Sequence, residues 1–183
     1  MIYNKKRILI IGNSGSGKST FSRFLGEKLS LRVYHLDRYF WKPGWEKRET
    51  DEWFNLVEKL ITEDEWIIEG NYTGTLNIRA LRADHIYFFD YHPAFCLYRI
   101  YKRSLLSKLK VEIRHDLAEG CKEQWPDREF FRFVYEFNLK TRPRIISILE
   151  EINYNSKDLT IFRNRKDYKK YISLHKKNSC HLT

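Results

Sequence analysis

Residues 7–20 read Arg-Ile-Leu-Ile-Ile-Gly-Asn-Ser-Gly-Ser-Gly-Lys-Ser-Thr, and the fold is decided there. Ile8 to Ile11 form an unbroken apolar, largely β-branched run, which suits a strand buried on both faces of a parallel sheet. Directly after it comes G-x-x-x-x-G-K-S, with Gly12, Gly17, Lys18 and Ser19 at the required spacing. Phe21, Phe24, Leu25 and Leu29 then recur at helical intervals, so the loop opens a helix. Gly12, Gly15 and Gly17 allow the tight turning that points successive N–H groups at phosphate oxygens. Asn13, Ser14 and Ser16 complete the cradle, and Thr20 is placed for another phosphate contact. The helix adds its positive N-terminal end to the same place. Lys18 brings a flexible charge to the β- and γ-phosphates, and the Ser19 hydroxyl is a ligand for Mg²⁺. A Gly-Ser turn can match by chance, but the strand before and the helix after argue for a nucleoside triphosphate site.

The 183 residues are enough for one domain with a real core. A hydrophobic share of 42%, with 16% aromatic, excludes disorder for most of the chain. No apolar run approaches the roughly 18–20 residues of a membrane span. Lys5–Arg7 is followed only by the short strand and the glycines, which does not make a signal peptide. Cys96, Cys121 and Cys180 share no C-x-x-C spacing and read as free thiols, so the expectation is a cytoplasmic protein without a cysteine metal site. The net charge of +10 attracts phosphates, whether of nucleotides, nucleic acid or lipids, and composition does not rank these.

Further along, Arg32–Leu36 reads as a second strand ending at Asp37, and 38–45 as a loop or short helix broken by Pro43-Gly44. From Thr50 a helix is well signposted, with acids in its first turn and Trp53, Leu56, Val57, Leu60 and Ile61 on one face. Trp66–Glu69 is a third strand and His85–Asp90 a fourth, separated by a helix over Leu76–Ala83. A long helix over Ala94–Ser107 precedes a loop-rich insertion at 108–127. Helices resume over Arg128–Asn138 and Arg144–Ile152, then come a last strand at Leu159–Phe162 and a helix at Lys166–Leu174. The polar tail, 176–183, is expected to fray. Strands alternating with helices predict parallel strands with right-handed crossovers in a three-layer α/β/α domain. Ligands of such sheets sit outside the carboxyl ends of the strands.

That rule singles out strand-terminal residues. Asp37 is placed to hold Mg²⁺ through water or to take a proton from an attacking hydroxyl, with a helix cap as the alternative. Glu69 ends a buried strand, where a bare charge is costly, so a metal or a basic partner is expected. Asp90 is a phosphate-site acid or a helix cap. Arg99 and Arg103 share one helical face. Between 99 and 114 stand six Lys/Arg against Glu112 alone, a pattern suited to stabilising a transferring phosphoryl group or simply to a solvated face. Arg79, Arg142 and Arg144 are further candidates. Tyr39, Phe40, Trp41 and Trp45 form either a stacking platform or an apolar seal.

With G-N-S-G-S-G-K-S-T, Y-H-L-D-R-Y-F-W-K-P-G-W, W-I-I-E-G-N-Y, L-R-A-D at 81–84 and A-E-G-C at 118–121 laid out, the chain resembles the P-loop kinases related to adenylate kinase. More narrowly it resembles the bacterial proteins labelled DNA topology modulation proteins, over roughly residues 6–172. The resemblance implies a P-loop NTPase fold with a five-stranded parallel sheet in the order 2-3-1-4-5. It implies one kinase-like domain over 1–183, with an acceptor-binding segment at 38–65 and a lid at 104–127. By position, Glu69 takes the place of an acid that organises Mg²⁺, Arg99 and Arg103 the pair entering the lid, and Asp37-Arg38 the acceptor side. Adenylate kinases follow the third-strand acid with G-F-P-R, where this chain has Gly70-Asn71-Tyr72-Thr73. The acceptor-gripping arginine is missing at that point, and Arg79 is the candidate substitute. The lid also lacks four cysteines for zinc.

The leading expectation is an ATP- and Mg²⁺-dependent phosphotransferase acting on a nucleotide or other small-molecule acceptor, as a monomer or homodimer. ATP over GTP rests on the resemblance, since no N-K-x-D motif occurs. The alternatives are a nucleic-acid-associated ATPase or regulator affecting DNA topology, and a nucleotide-binding protein without turnover. The second is favoured by the basic stretch 99–114 and by seven Lys/Arg between 163 and 177, although no helix-turn-helix or zinc-finger pattern is present.

Overall fold

The structure, a computed structural model, describes residues 5–108, 120–121, 126–154 and 158–177. β1 (Arg7–Gly12) lies at the centre of a five-stranded sheet with β2 (Val33–His35), β5 (Trp66–Glu69), β6 (His85–Phe89) and β7 (Leu159–Phe162). Every pairing in this sheet is parallel, in the order β2-β5-β1-β6-β7. Left out of that count are β3 (Trp41–Lys42) and β4 (Glu46–Lys47), a separate antiparallel hairpin. The remaining strands therefore run 2-3-1-4-5, the order implied by the resemblance.

Side-chain alternation sorts the core into two layers. Leu9, Ile11, Trp66, Ile68, Ile86 and Phe88 face α3 (Thr50–Ile61), α4 (Leu76–Arg82) and α7 (Thr141–Glu151), which contribute Trp53, Val57, Leu76, Ala80, Ile145 and Leu149. Ile8, Ile10, Ile67, Tyr87 and Phe89 face the other way, toward α1 (Lys18–Leu29), α5 (Pro93–Lys108), α6 (Arg128–Tyr135) and α8 (Arg165–Lys177). Phe21 of α1 sits at the hub of that second layer, with ring centroids 4.9 Å from Tyr87, 5.4 Å from Phe89 and 5.7 Å from Phe162. Each such pair adds about 0.5–1.5 kcal/mol beyond burial, so the first turn of α1 is anchored rigidly beneath the glycine loop. Among the described residues, no helix is long and apolar enough to cross a membrane.

Several boundaries differ from the sequence reading for local reasons. The second strand is shorter than 32–36, and Asp37 stands in the first turn of the five-residue helix α2 (Leu36–Phe40) rather than at a strand end. The Pro43-Gly44 break is a hairpin turn in which Gly44 and Trp45 take φ of 80° and 65°. Helix 128–138 stops at Tyr135 and closes with a 3₁₀ turn, Glu136–Asn138. α7 begins before Pro143 because a proline within the first turn removes no helical hydrogen bond. Of the insertion expected at 108–127 and the lid at 104–127, residues 104–108 continue α5, while 109–119 and 122–125 lie outside the described residues. Gly120 and Cys121 rest on the hairpin, where Cys121 Sγ donates to the Lys42 carbonyl at 3.3 Å. Of the tail, 176–177 end α8 and 178–183 lie outside.

Candidate active site

β1 ends at Gly12, whose φ of +140° and proximity to Phe89 leave no room for a side chain; a Cβ there would stand 2.4 Å from the Phe89 carbonyl oxygen. The loop then runs over α5, which Gly15 touches at Cys96 and Ile100, to Gly17, the left-handed cap of α1. No acidic residue belongs to the first turn of α1, and the acid that reaches it from another element is Glu69, through Ser19 Oγ; the positive end of such a helix suits an anion such as phosphate. Asn13 and Ser16 are buried, and Asn13 Oδ1 and Ser16 Oγ have no hydrogen-bond partner among the described residues. Buried polar atoms without partners are costly, and a polar ligand in the loop would satisfy them.

Around this loop the sequence candidates converge. Lys18 Nζ donates to the Asn13 carbonyl at 3.0 Å and lies 3.7 Å from Glu69 Oε1. Ser19 Oγ donates to Glu69 Oε2 at 3.1 Å, and His35 Nδ1 lies 3.0 Å from the same oxygen. The strand register explains the meeting: His35 is the partner of Glu69 across β2 and β5, and Glu69 is the partner of Ile10 across β5 and β1. Arg99, from α5, donates through Nη1 to the Ser16 carbonyl at 2.8 Å and lies over the face of Gly17. Arg103 stands one turn further along α5, half-buried. Ser14 is half-buried in the loop and Thr20 is exposed on α1.

Asp37 lies on the adjacent side, exposed, and its Oδ1 accepts from the Tyr72 hydroxyl at 2.6 Å. Burial and the neighbouring Asp37 carboxylate push the Tyr72 phenol upward, so it stays a donor at neutral pH. The aromatic cluster behind it is a seal: Phe40, Trp53 and Tyr72 pack with centroids 4.8–5.2 Å apart. Phe40 and Trp53 meet edge to face, and Tyr72 is tilted against both.

Arg79 corrects the sequence expectation. It is fully buried, and its guanidinium donates to the carbonyls of Gly70, Asn71, Tyr72 and Thr75 and to Thr75 Oγ1. Burial lowers its pKa to about 9, which still leaves a cation at pH 7. A guanidinium so engaged and fully buried is not presented to an acceptor's phosphate. What it does is brace the loop after β5, where Gly70 has φ +139° and Tyr72 the uncommon left-handed φ of +34°. Asp90 is likewise neither a helix cap nor a phosphate ligand. It holds Arg142 in a two-pronged ion pair, at 2.8 Å to Nε and 2.9 Å to Nη2.

Sequence reading missed four contributors: His35, Asn71, Tyr72 and the bracing role of Arg79. Asn71 Oδ1 accepts the Gly12 N–H at 2.8 Å, and Asn13 Nδ2 donates to the Val134 carbonyl at 2.9 Å, tying the loop to β5 and α6. The H-L-D and E-G-N-Y strings carry the signal for His35, Asn71 and Tyr72, which stand at or just after strand ends, whereas Arg79 lies within α4, outside both strings.

As for a metal, no group of three or more His, Cys, Asp or Glu side chains among the described residues is arranged to hold one. The Ser19 hydroxyl and the Glu69 carboxylate do lie side by side at the loop. Two such oxygens fit Mg²⁺, which takes few protein ligands and completes its shell with phosphate and water.

No family model matches the chain. A shikimate kinase from Bacteroides thetaiotaomicron has a similar structure, with a TM-score of 0.50 and 17% identity over 94% of this chain and 97% of that one. A deoxyadenosine kinase from M. mycoides aligns at a TM-score of 0.44 and 14% identity, covering 96% of this chain and 99% of its own. The first likeness bears on the fold alone: this chain shares the α/β architecture of the shikimate kinase. In sequence, the uncharacterized protein YqaC of Bacillus subtilis is 39% identical over 72 residues, 38% of this chain; the match spans only 40% of that relative's length.

Proposed function

We propose that this protein is an ATP- and Mg²⁺-dependent phosphotransferase acting on a small-molecule acceptor. The observation that carries the reading is the convergence of Lys18, Ser19, Glu69 and Arg99 on a glycine loop at the N-terminal end of α1.

In this reading the loop N–H groups of 13–20 bind the β- and γ-phosphates, and Lys18 exchanges Glu69 for phosphate oxygen. Ser19 and Glu69 would hold Mg²⁺, which would supply charge neutralisation to the phosphates. His35 keeps the Glu69 carboxylate turned toward Ser19. Arg99, and Arg103 behind it, stabilise charge on the group in flight. Asp37, held by Tyr72, orients the acceptor and takes its proton. The chain acts as one kinase-like unit, with 38–65 on the acceptor side.

A second reading, a nucleic-acid-associated ATPase of the kind a topology-modulating label suggests, draws on α8 and the turn before it, where Arg163, Arg165, Lys166, Lys169 and Lys170 are all exposed. Phosphate-driven binding there would weaken linearly in log affinity against log salt.

The test is ADP release from Mg·ATP by the purified chain against small acceptors and duplex DNA. Stimulation by a small acceptor, abolished in Lys18→Ala, supports the phosphotransferase. Stimulation by DNA alone, with a steep salt response, moves the second reading to first.

A further inference from the structure

Resting on the phosphotransferase reading, we infer that the acceptor is a phosphate-free alcohol, such as a nucleoside, sugar or polyol, and not a nucleoside monophosphate. The grounds are the engagement of the cations on the acceptor side and the carboxylate that stands there instead.

A phosphate-bearing acceptor needs guanidinium groups converging on it, usually in bidentate geometry. Over the described acceptor side the arginines that are held in place are already engaged. Arg79 is buried on four backbone carbonyls. Arg48 donates to the Tyr39 carbonyl at 2.7 Å and pairs with Glu52, which also holds Lys42 at 2.9 Å. Arg142, beyond β6, forks onto Asp90. Arg38 follows Asp37 in α2 and is exposed.

The carboxylate fits the opposite chemistry. A phosphate oxygen is already deprotonated near neutral pH and needs no base, and Asp37 would repel it. An alcohol is protonated and profits from a base at hydrogen-bonding distance. Asp37 is exposed, and its Oδ1 accepts from the Tyr72 hydroxyl at 2.6 Å. Tyr72 is in turn fixed by Phe40 and Trp53 and by the Arg79 grip on its carbonyl. In the step, the acceptor oxygen forms a bond to the γ-phosphorus as its proton passes to Asp37. The bond from that phosphorus to the β–γ bridging oxygen breaks, and ADP leaves with the electron pair. Asp37 then returns the proton to solvent.

The experiment offers the full chain γ-labelled Mg·ATP with two panels: nucleosides, hexoses and polyols in one, nucleoside 5′-monophosphates in the other. Mg·ATP binding is measured separately by calorimetry. The inference expects label in the first panel only, and Asp37→Asn to lower kcat about 10²–10⁴-fold with Mg·ATP affinity and thermal midpoint unchanged. Label on the monophosphates overturns the acceptor class while the phosphotransferase reading stands. Mg·ATP binding with no label in either panel also overturns it. Absence of Mg·ATP binding removes the phosphotransferase reading and the inference together.

Discussion

Arg79→Met offers the sharpest test of how the acceptor side is built. The guanidinium is fully buried and donates to Gly70, Asn71, Tyr72 and Thr75. Methionine fills a similar volume but leaves the three loop carbonyls of residues 70–72 without these donors. Each orphaned buried group costs about 1–3 kcal/mol, and the relief of desolvating a charge offsets part of that sum. The expected net loss is about 3–5 kcal/mol, in the range seen when one side of a buried charged network is removed. For a chain of this size it corresponds to roughly 6–20 °C in Tm. Urea unfolding followed by tryptophan fluorescence measures it, with the midpoint falling and the slope unchanged. Tyr72 would also leave its left-handed φ of +34° and release Asp37, so kcat should fall together with stability. Arg79→Lys should recover only part of the loss, because one ammonium cannot span the carbonyls that the fork reaches. A loss below about 1 kcal/mol for Arg79→Met would refute the bracing role and return Arg79 to the list of phosphate ligands.

Tyr72→Phe keeps the ring packing and removes one donor to Asp37; the acid limb of the kcat/KM profile should move to higher pH because the carboxylate loses a bond that favours its charged form, and an unmoved limb would count against Asp37 as base. Gly17→Ala places a Cβ 2.9 Å from Arg99 Nη1 at a φ of +105°; with about 1–2 kcal/mol of backbone strain to relieve, the loop should relax and Mg·ATP affinity fall about tenfold by calorimetry. His85, half-buried against Thr160, has its pKa lowered to about 4 from 6.5 by burial. The unfolded chain therefore binds more protons between pH 6.5 and 4, and stability is lost as pH falls through that window. His85→Gln should flatten that part of the stability curve by roughly 1.5–3 kcal/mol in urea titrations, allowing for screening of a partly exposed ring.

The parts of the molecule legible in sequence were those written in consecutive residues. Ile8–Ile11, Trp66–Glu69 and His85–Phe89 are apolar runs that only a sheet covered on both faces could accept, and each is a strand close to its expected bounds. The glycine loop was readable for the same reason, since its chemistry is carried by one uninterrupted segment. Pairings across long separations were not. Asp90 looked like a cap because its neighbour His92-Pro93 opens a helix, while its actual partner, Arg142, is 52 residues away. Arg79 looked like a substitute for the acceptor-gripping arginine because it follows the third strand, where that arginine is missing. Nothing in 70–79 announces that four carbonyls turn inward to meet it. Asp37 was placed at a strand end, whereas α2 begins one residue earlier, a helix of five residues that is too short to show a period.

The central place of β1 has a consequence for the order in which the protein can be made. Although its apolar run is finished by residue 12, its two neighbours are supplied by residues 66–69 and 85–89. β2, made next, pairs with β5 and never with β1. A chain emerging from the ribosome thus carries its most apolar segment for more than fifty residues of synthesis before any strand can bind it. The phosphate cradle, first to be written, is among the last features to assemble, and an exposed β-forming stretch must be kept from pairing with other chains throughout that interval.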